Sequence, residues 1–172
     1  MVRKGATGWS TLTGAEWVWI IGPTTSPNPG TNCRASGSTV GYTNNARYTH
    51  ATINTDGTSV NGIILFPDGV DFAASEFFTL GTVNGNSAWG TKCTSAEWTA
   101  LAAKGCVFLP AAGNRSDASV SKVGSTGYYW TSSSPSITSN AYLVYFYGGS
   151  LTTNSGTSRN YGYSVRLVRA VE

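Results

Sequence analysis

One alternating run near the C-terminus constrains this chain more than any other feature. Between residues 140 and 147, the large side chains divide into two sets of alternating positions. This period of two predicts a half-buried strand. The side chains predicted to face the core are Tyr142, Val144 and Phe146. Those predicted to face solvent are Leu143, Tyr145 and Tyr147.

The segment around this strand, residues 127–169, consists mostly of Ser, Thr, Asn, Tyr and Gly. Such a composition is typical of disordered chains, but the alternation argues against disorder. Exposed tyrosines among small polar residues resemble an antibody paratope, because Tyr offers a large contact area at a low entropic cost. The segment therefore predicts a binding surface laid on a sheet.

Two copies of the pattern Thr-x-Ala-Glu-Trp predict two helix starts, at Thr13 and at Thr94. In each copy the Thr hydroxyl and the Glu three residues later can satisfy free amides of the first turn. The helices are expected at about Gly14–Ile21 and Ser95–Lys104. This capping role explains both glutamates, so neither is predicted to be catalytic.

The rest of the chain predicts strands separated by long irregular segments. Residues 24–59 and 70–92 are expected to be irregular, and the second of these carries apolar anchors at Phe72, Phe77, Phe78, Leu80 and Trp89. Strands are predicted at Gly62–Phe66, in the apolar run from Cys106 to Arg115, and at Tyr128–Ser132, Ala141–Tyr147 and Tyr163–Val168. The chain is therefore predicted to be one α+β domain, residues 1–172, with its sheet concentrated near the C-terminus.

Charge and cysteine content narrow the class of function. Only 11% of the residues are charged, which favours an extracellular or virion surface, and the net charge of +3 lacks the basic stripe of a nucleic-acid interface. The sequence contains no apolar stretch long enough to predict membrane insertion. Cys33, Cys93 and Cys106 form either one disulfide with a free thiol or three buried thiols, and Cys93 and Cys106 bracket a helix and should not pair. His50 is expected in an irregular loop.

Four stretches resemble the variable proteins of diversity-generating retroelements, of the kind found in Bacteroides-type gut bacteria and their phages. They are Gly8–Trp17 (GWSTLTGAEW), Val107–Arg115 (VFLPAAGNR), Gly127–Ser133 (GYYWTSS) and Gly162–Arg169 (GYSVRLVR). The resemblance covers most of the chain from Gly8 onward. It implies a C-type lectin-like fold with two helices and a C-terminal antiparallel sheet. Relatives usually carry a first strand that pairs with the last, within a longer segment before the first helix than the dozen or so residues found here.

The resemblance also implies a ligand-binding surface, within about residues 127–169, whose residues are diversified while the scaffold stays fixed. The bound partner would be an unidentified protein or surface ligand, on a bacterial cell surface or a phage virion. The positions implied to be diversified are Ser136, Thr138, Leu143, Tyr145, Tyr147, Thr152, Asn154, Ser155, Thr157, Ser158 and Asn160.

Two other functions compete with ligand binding. Formylglycine-generating enzymes use a related fold and cysteine chemistry, and a fimbrial module would use the same face as an oligomer contact. No acidic residue occurs between Ala118 and Val171, so the binding region lacks the carboxylates of a calcium site. The sequence therefore predicts non-catalytic binding with no metal and no cofactor.

Overall fold

A computed structural model describes residues 8–22, 33–34, 36–41, 43–72, 79–85 and 88–169. The helices and strands, in chain order, are β1 (Ser10–Thr11), α1 (Gly14–Ile21), β2 (Ser38–Val40), β3 (Thr43–Ala46), β4 (Tyr48–Thr55), β5 (Thr58–Leu65), β6 (Asp71–Phe72), β7 (Thr91–Thr94), α2 (Ser95–Ala103), β8 (Val107–Pro110), β9 (Asn114–Ser116), β10 (Ser119–Ser121), β11 (Thr126–Trp130), β12 (Asn140–Tyr147), β13 (Ser150–Ser158) and β14 (Leu167–Val168).

Both predicted helices are confirmed, and both begin with a complete capping box. At α1 the Glu16 amide donates to the Thr13 hydroxyl over 3.1 Å, and the Glu16 carboxylate accepts from the Thr13 amide over 2.7 Å. Thr94 and Glu97 form the same pair at α2. Because each glutamate is engaged by the cap, its presence has a structural explanation.

A central sheet with strand order β7-β4-β5-β8 separates two hydrophobic cores. On β5, Ile63 and Leu65 enter the first core with Trp17 of α1, whereas Ile64 enters the second core with Leu101 of α2. A strand buried on both faces needs a continuous apolar run rather than an alternating one. This confirms the predicted strand at Gly62–Phe66, although β5 starts earlier, at Thr58.

The predicted irregular segment 24–59 is wrong from Ser38 onward, where β2, β3 and β4 lie and β5 begins. Strand β4 contains little apolar sequence, yet Tyr48–Ile53 are all buried. Its threonines tolerate burial because they are hydrogen-bonded; the Thr49 and Thr91 hydroxyls, for example, are 2.7 Å apart. Of the predicted anchors, Phe72 is buried and Leu80 and Trp89 pack against the cores, while Phe77 and Phe78 lie outside the described residues.

The C-terminal sheet is antiparallel, with strand order β11-β12-β13. Strand β12 confirms the prediction for Ala141–Tyr147. Gly148-Gly149 forms the turn into β13, where no strand was predicted. The predicted last strand Tyr163–Val168 is mostly wrong, because only Leu167 and Val168 form a strand and that strand pairs with β1. Val165 and Leu167 are about half exposed, at 51% and 52%.

Helices and sheets together confirm the α+β class. The described part of the chain contains no helix with the length and apolarity that crossing a membrane requires.

Candidate functional site

The register of the C-terminal sheet determines which side chains share each face. Direct partners on neighbouring antiparallel strands lie on the same face. Tyr129 pairs with Val144, and both side chains belong to the first core. The residues on either side of them must point away from that core. We call this side the outer face; it carries Thr126, Tyr128, Trp130, Leu143, Tyr145, Tyr147, Ser150, Thr152, Ser155 and Thr157.

Five tyrosines form a continuous row on the outer face, which we call the tyrosine ladder. Successive rings are nearly parallel, with centroid separations of 6.2, 6.1, 4.7 and 5.5 Å. Trp130 leans against the fourth ring, with centroids 4.6 Å apart. Aromatic pairs of this kind contribute about 0.5–1.5 kcal/mol beyond the area they bury, so the rings hold one another in place. In order, the ladder is Tyr147, Tyr145, Tyr128, Tyr163 and Tyr161.

A cleft of about 490 Å³ opens at the Tyr147 end of the ladder. Three ladder tyrosines form one side, and Trp89, Lys122 and Ser125 contribute the rest of the lining. Its volume falls within the range of small-molecule sites. None of the described residues that line it is acidic.

Lys122 is the charged group of this cleft. Its Nζ donates a hydrogen bond to the Tyr128 hydroxyl over 2.9 Å and lies 5.5 Å from the centre of the Tyr128 ring. This hydrogen bond raises the pKa of the Lys122 amine above its usual value, so the amine stays cationic. The Lys122 backbone has φ 60°, and its carbonyl accepts from the Thr126 amide over 3.0 Å in a tight turn.

Most of the residues predicted to form the binding surface lie at or beside the outer face. Tyr145, Tyr147, Thr152, Ser155 and Thr157 lie on it, and Tyr147 is 47% exposed. Three more are exposed in the loops next to the sheet, namely Ser136, Thr138 and Asn160.

The predicted exposure of Leu143 is wrong, because this side chain is only 2% exposed. Its strand parity is correct, since it pairs directly with Trp130 and belongs to neither core. The Tyr163 ring contacts Trp130 on β11, and its hydroxyl interacts with the Thr157 side chain on β13. Tyr163 therefore lies against Trp130, the direct partner of Leu143, and reaches Thr157 of β13.

Asn154 and Ser158 are displaced from the outer face by the geometry of β13. Two residues of β13 oppose Val144 at a β-bulge, and one of them, Asn154, has φ 61°. The Asn154 side chain is exposed but points at α1, since a Cβ added to Gly14 would collide with it. Ser158 follows Thr157 in the strand and therefore points to the opposite face.

The site residues that were not predicted from the sequence are Tyr128, Lys122, Trp89 and Tyr163. Tyr128 could have been found by pairing the alternation of the 128–132 strand with that of the 141–147 strand. Tyr163 could not, because its segment forms isolated bridges rather than a strand. Neither Lys122 nor Trp89 lies in a segment with a regular pattern.

His50 and the three cysteines are buried, and none of them lines the cleft. His50 is in β4 rather than in a loop, and burial lowers its pKa to about 4. Burial raises the pKa of Cys93 and Cys106 to about 12, so both are protonated free thiols, and Cys33 is also buried. Within the described ranges, no three His, Cys, Asp or Glu side chains come together as a metal site.

Comparison with the curated proteins and with the solved structures finds no match for this chain. The family model described as Domain of unknown function (DUF8237) matches residues 71–168, which is more than half of the chain. The matched region contains α2, the whole C-terminal sheet, the tyrosine ladder and Lys122. This chain is therefore a member of the DUF8237 family.

Proposed function

We propose that this protein is a non-catalytic binding protein whose outer face recognises a ligand. The observation that carries the proposal is the tyrosine ladder, which is exposed at Tyr147 and continues into the cleft. Tyr and Trp combine a large apolar area with a polar atom and few rotatable bonds, and for this reason they dominate binding hot spots.

The arrangement of the outer face supports recognition over simple solubility. Tyr145 and Tyr147 stand on a paired strand and their rings are within 6° of parallel, so ordering them for a ligand costs little entropy. Thr152, the direct partner of Tyr145, adds a hydroxyl beside the rings. Rigid aromatic anchors next to small hydroxyl side chains are the usual composition of a paratope.

The finer proposal is a C-type lectin-like variable protein of a diversity-generating retroelement, displayed on a cell surface or a virion. It is supported by the motifs named above and by the pairing of β1 with β14, the closure of first strand on last that the resemblance implies. The genomic test is a neighbouring reverse-transcriptase gene with a near-copy of the coding sequence for roughly residues 130–166 that differs only at adenines. Absence of both from the locus would contradict the retroelement proposal.

The binding function is tested on arrays of glycans and bacterial surface proteins with the wild type and a Tyr145→Ala/Tyr147→Ala variant. We expect the variant to lose the signals of the wild type while its melting temperature stays within a few degrees. Trp19→Ala is the matched control, because Trp19 is an equally exposed aromatic residue, at 53%, on α1. Unchanged array signals in the double variant, or equal losses in the control, would contradict the proposal.

A further inference from the structure

We infer that the cleft beside Lys122 binds an acidic sugar, whose carboxylate pairs with the Lys122 amine while the sugar ring lies against the tyrosines. This inference rests on the proposed function of the outer face and names its ligand class.

The charge distribution of the cleft selects an anion. Lys122 is the only Lys, Arg, Asp or Glu among the described residues that line the cleft. Its exposed ammonium therefore lies at the aromatic lining with no carboxylate from the described lining residues to pair with it. A ligand carboxylate would form a charge-assisted hydrogen bond there, at one side of the ladder.

At the cleft, a ligand can bind to side chains but not to free main-chain hydrogen-bonding groups of β11. This favours a sugar over a peptide. Strand β11 has no free edge at the cleft, because β12 pairs with one side of it and Ser164 hydrogen-bonds to Tyr128 and Trp130 on the other. A peptide strand could therefore not add to β11 through its main chain. Phenol and Ser or Thr hydroxyls both donate and accept hydrogen bonds, which suits the many hydroxyl groups of a sugar.

The backbone at Lys122 gives independent support. Its φ of 60° is left-handed, a conformation that glycine adopts without cost and that is uncommon for lysine. Gly124, two residues later in the same turn, has φ 75° and no atom near its missing side chain. A lysine in a position suited to glycine is explained if its amine serves a ligand.

The experiment measures affinities of two matched pairs of probes by calorimetric titration. Sialyllactose is compared with lactose, and digalacturonic acid with digalactose, at low and high salt. We expect the wild type to bind at least one acidic probe about five- to tenfold more tightly than its neutral partner. High salt should weaken this preference, because the amine is exposed.

Three substitutions at one position separate charge from structure. Lys122→Arg should keep the preference for the acidic probe, whereas Lys122→Met should abolish it. Lys122→Gly should abolish it while leaving the melting temperature equal or higher, because glycine relieves the backbone. Lys104→Met, which removes a lysine that lies over Phe72 in the second core, controls for net charge and should leave the preference unchanged.

Other outcomes would overturn the inference. Equal affinity for acidic and neutral probes, or no binding of either acidic probe, contradicts it, and so does a preference that survives in Lys122→Gly. Tighter binding of an acidic peptide such as tetraglutamate would make the ligand a protein segment instead. If the acidic sugars fail while the Tyr145→Ala/Tyr147→Ala variant still loses its array signals, the proposed binding function stands without this ligand class.

Discussion

Tyr128 and Tyr129 are neighbours in β11, yet they belong to opposite faces and opposite environments. Tyr129 is 4% exposed, stacks on Phe146, and donates its hydroxyl to the Pro110 carbonyl over 2.8 Å. Tyr128 is half-buried in the ladder and accepts from Lys122. The same residue type therefore helps to hold two sheets together on one face and is available to a ligand on the other.

The two faces also differ in how much change they can accept. On the core face, a Cβ added to Gly127 would collide with the Phe146 ring, so even one methyl group is excluded. On the outer face, Tyr147 is about half exposed and its replacement opens no cavity. A surface whose residues can be exchanged while the fold persists is what the proposed function requires.

The largest expected effect that tests this comparison comes from Phe146→Ala against Tyr147→Ala. Phe146 is fully buried in the first core, so truncation should lower the free energy of unfolding by about 3–5 kcal/mol. Tyr147→Ala should lower it by only about 1 kcal/mol, because it loses the stacking contact with Tyr145 but opens no cavity. Urea denaturation measures both, and losses of similar size would show that the two faces do not differ as described.

Low pH should lower the free energy of unfolding because of His50. Its buried ring packs against Phe146 on the core face, with ring centroids 6.4 Å apart. Tyr48 and Trp89 also surround this ring, and neither ring nitrogen has a hydrogen-bond partner among the described residues. Its folded pKa of about 4 lies below the ordinary value of 6.5, so the unfolded chain takes up the proton first. Stability is therefore complete above pH 6.5 and falls by about 3 kcal/mol as the pH drops to 4.

The measurement is the free energy of unfolding at several pH values for the wild type and His50→Leu. Carboxylates titrate in both proteins, so the difference between the two curves isolates His50. That difference should change between pH 6.5 and 4 and stay constant above pH 7. Parallel curves across the whole range would contradict the burial of a neutral His50.

Local signals in the sequence predicted the elements that local chemistry determines. The capping boxes at Thr13 and Thr94 located both helices, because a cap is formed by residues three positions apart. The alternation in 140–147 located β12 and its two faces. Strands β4 and β13 were missed because Thr, Asn and Ser dominate them and hide the apolar alternation, although each forms a hairpin with a strand next to it in the chain.

The candidate site was predictable only where strand parity decided it. Tyr145 and Tyr147 follow from alternation, and so does the side of the sheet on which Leu143 lies. The burial of Leu143 does not follow from alternation, and neither does the position of Tyr163, which packs on Trp130 from a segment without regular structure. Lys122 reaches the cleft through a tight turn with φ 60°, a conformation that the sequence gives no reason to expect of a lysine.

The smallest expected effect comes from removing one hydroxyl oxygen from a tyrosine on each face. Tyr129→Phe removes the hydroxyl that donates to Pro110, and this should lower the free energy of unfolding by about 1 kcal/mol. Tyr128→Phe removes only a hydrogen bond with the exposed Lys122, so its cost should be a few tenths of a kcal/mol. Urea denaturation of the two variants makes the comparison with equal changes in mass and side-chain volume. A larger loss for Tyr128→Phe would place the stabilising hydroxyl on the outer face and reverse the assignment of the two faces.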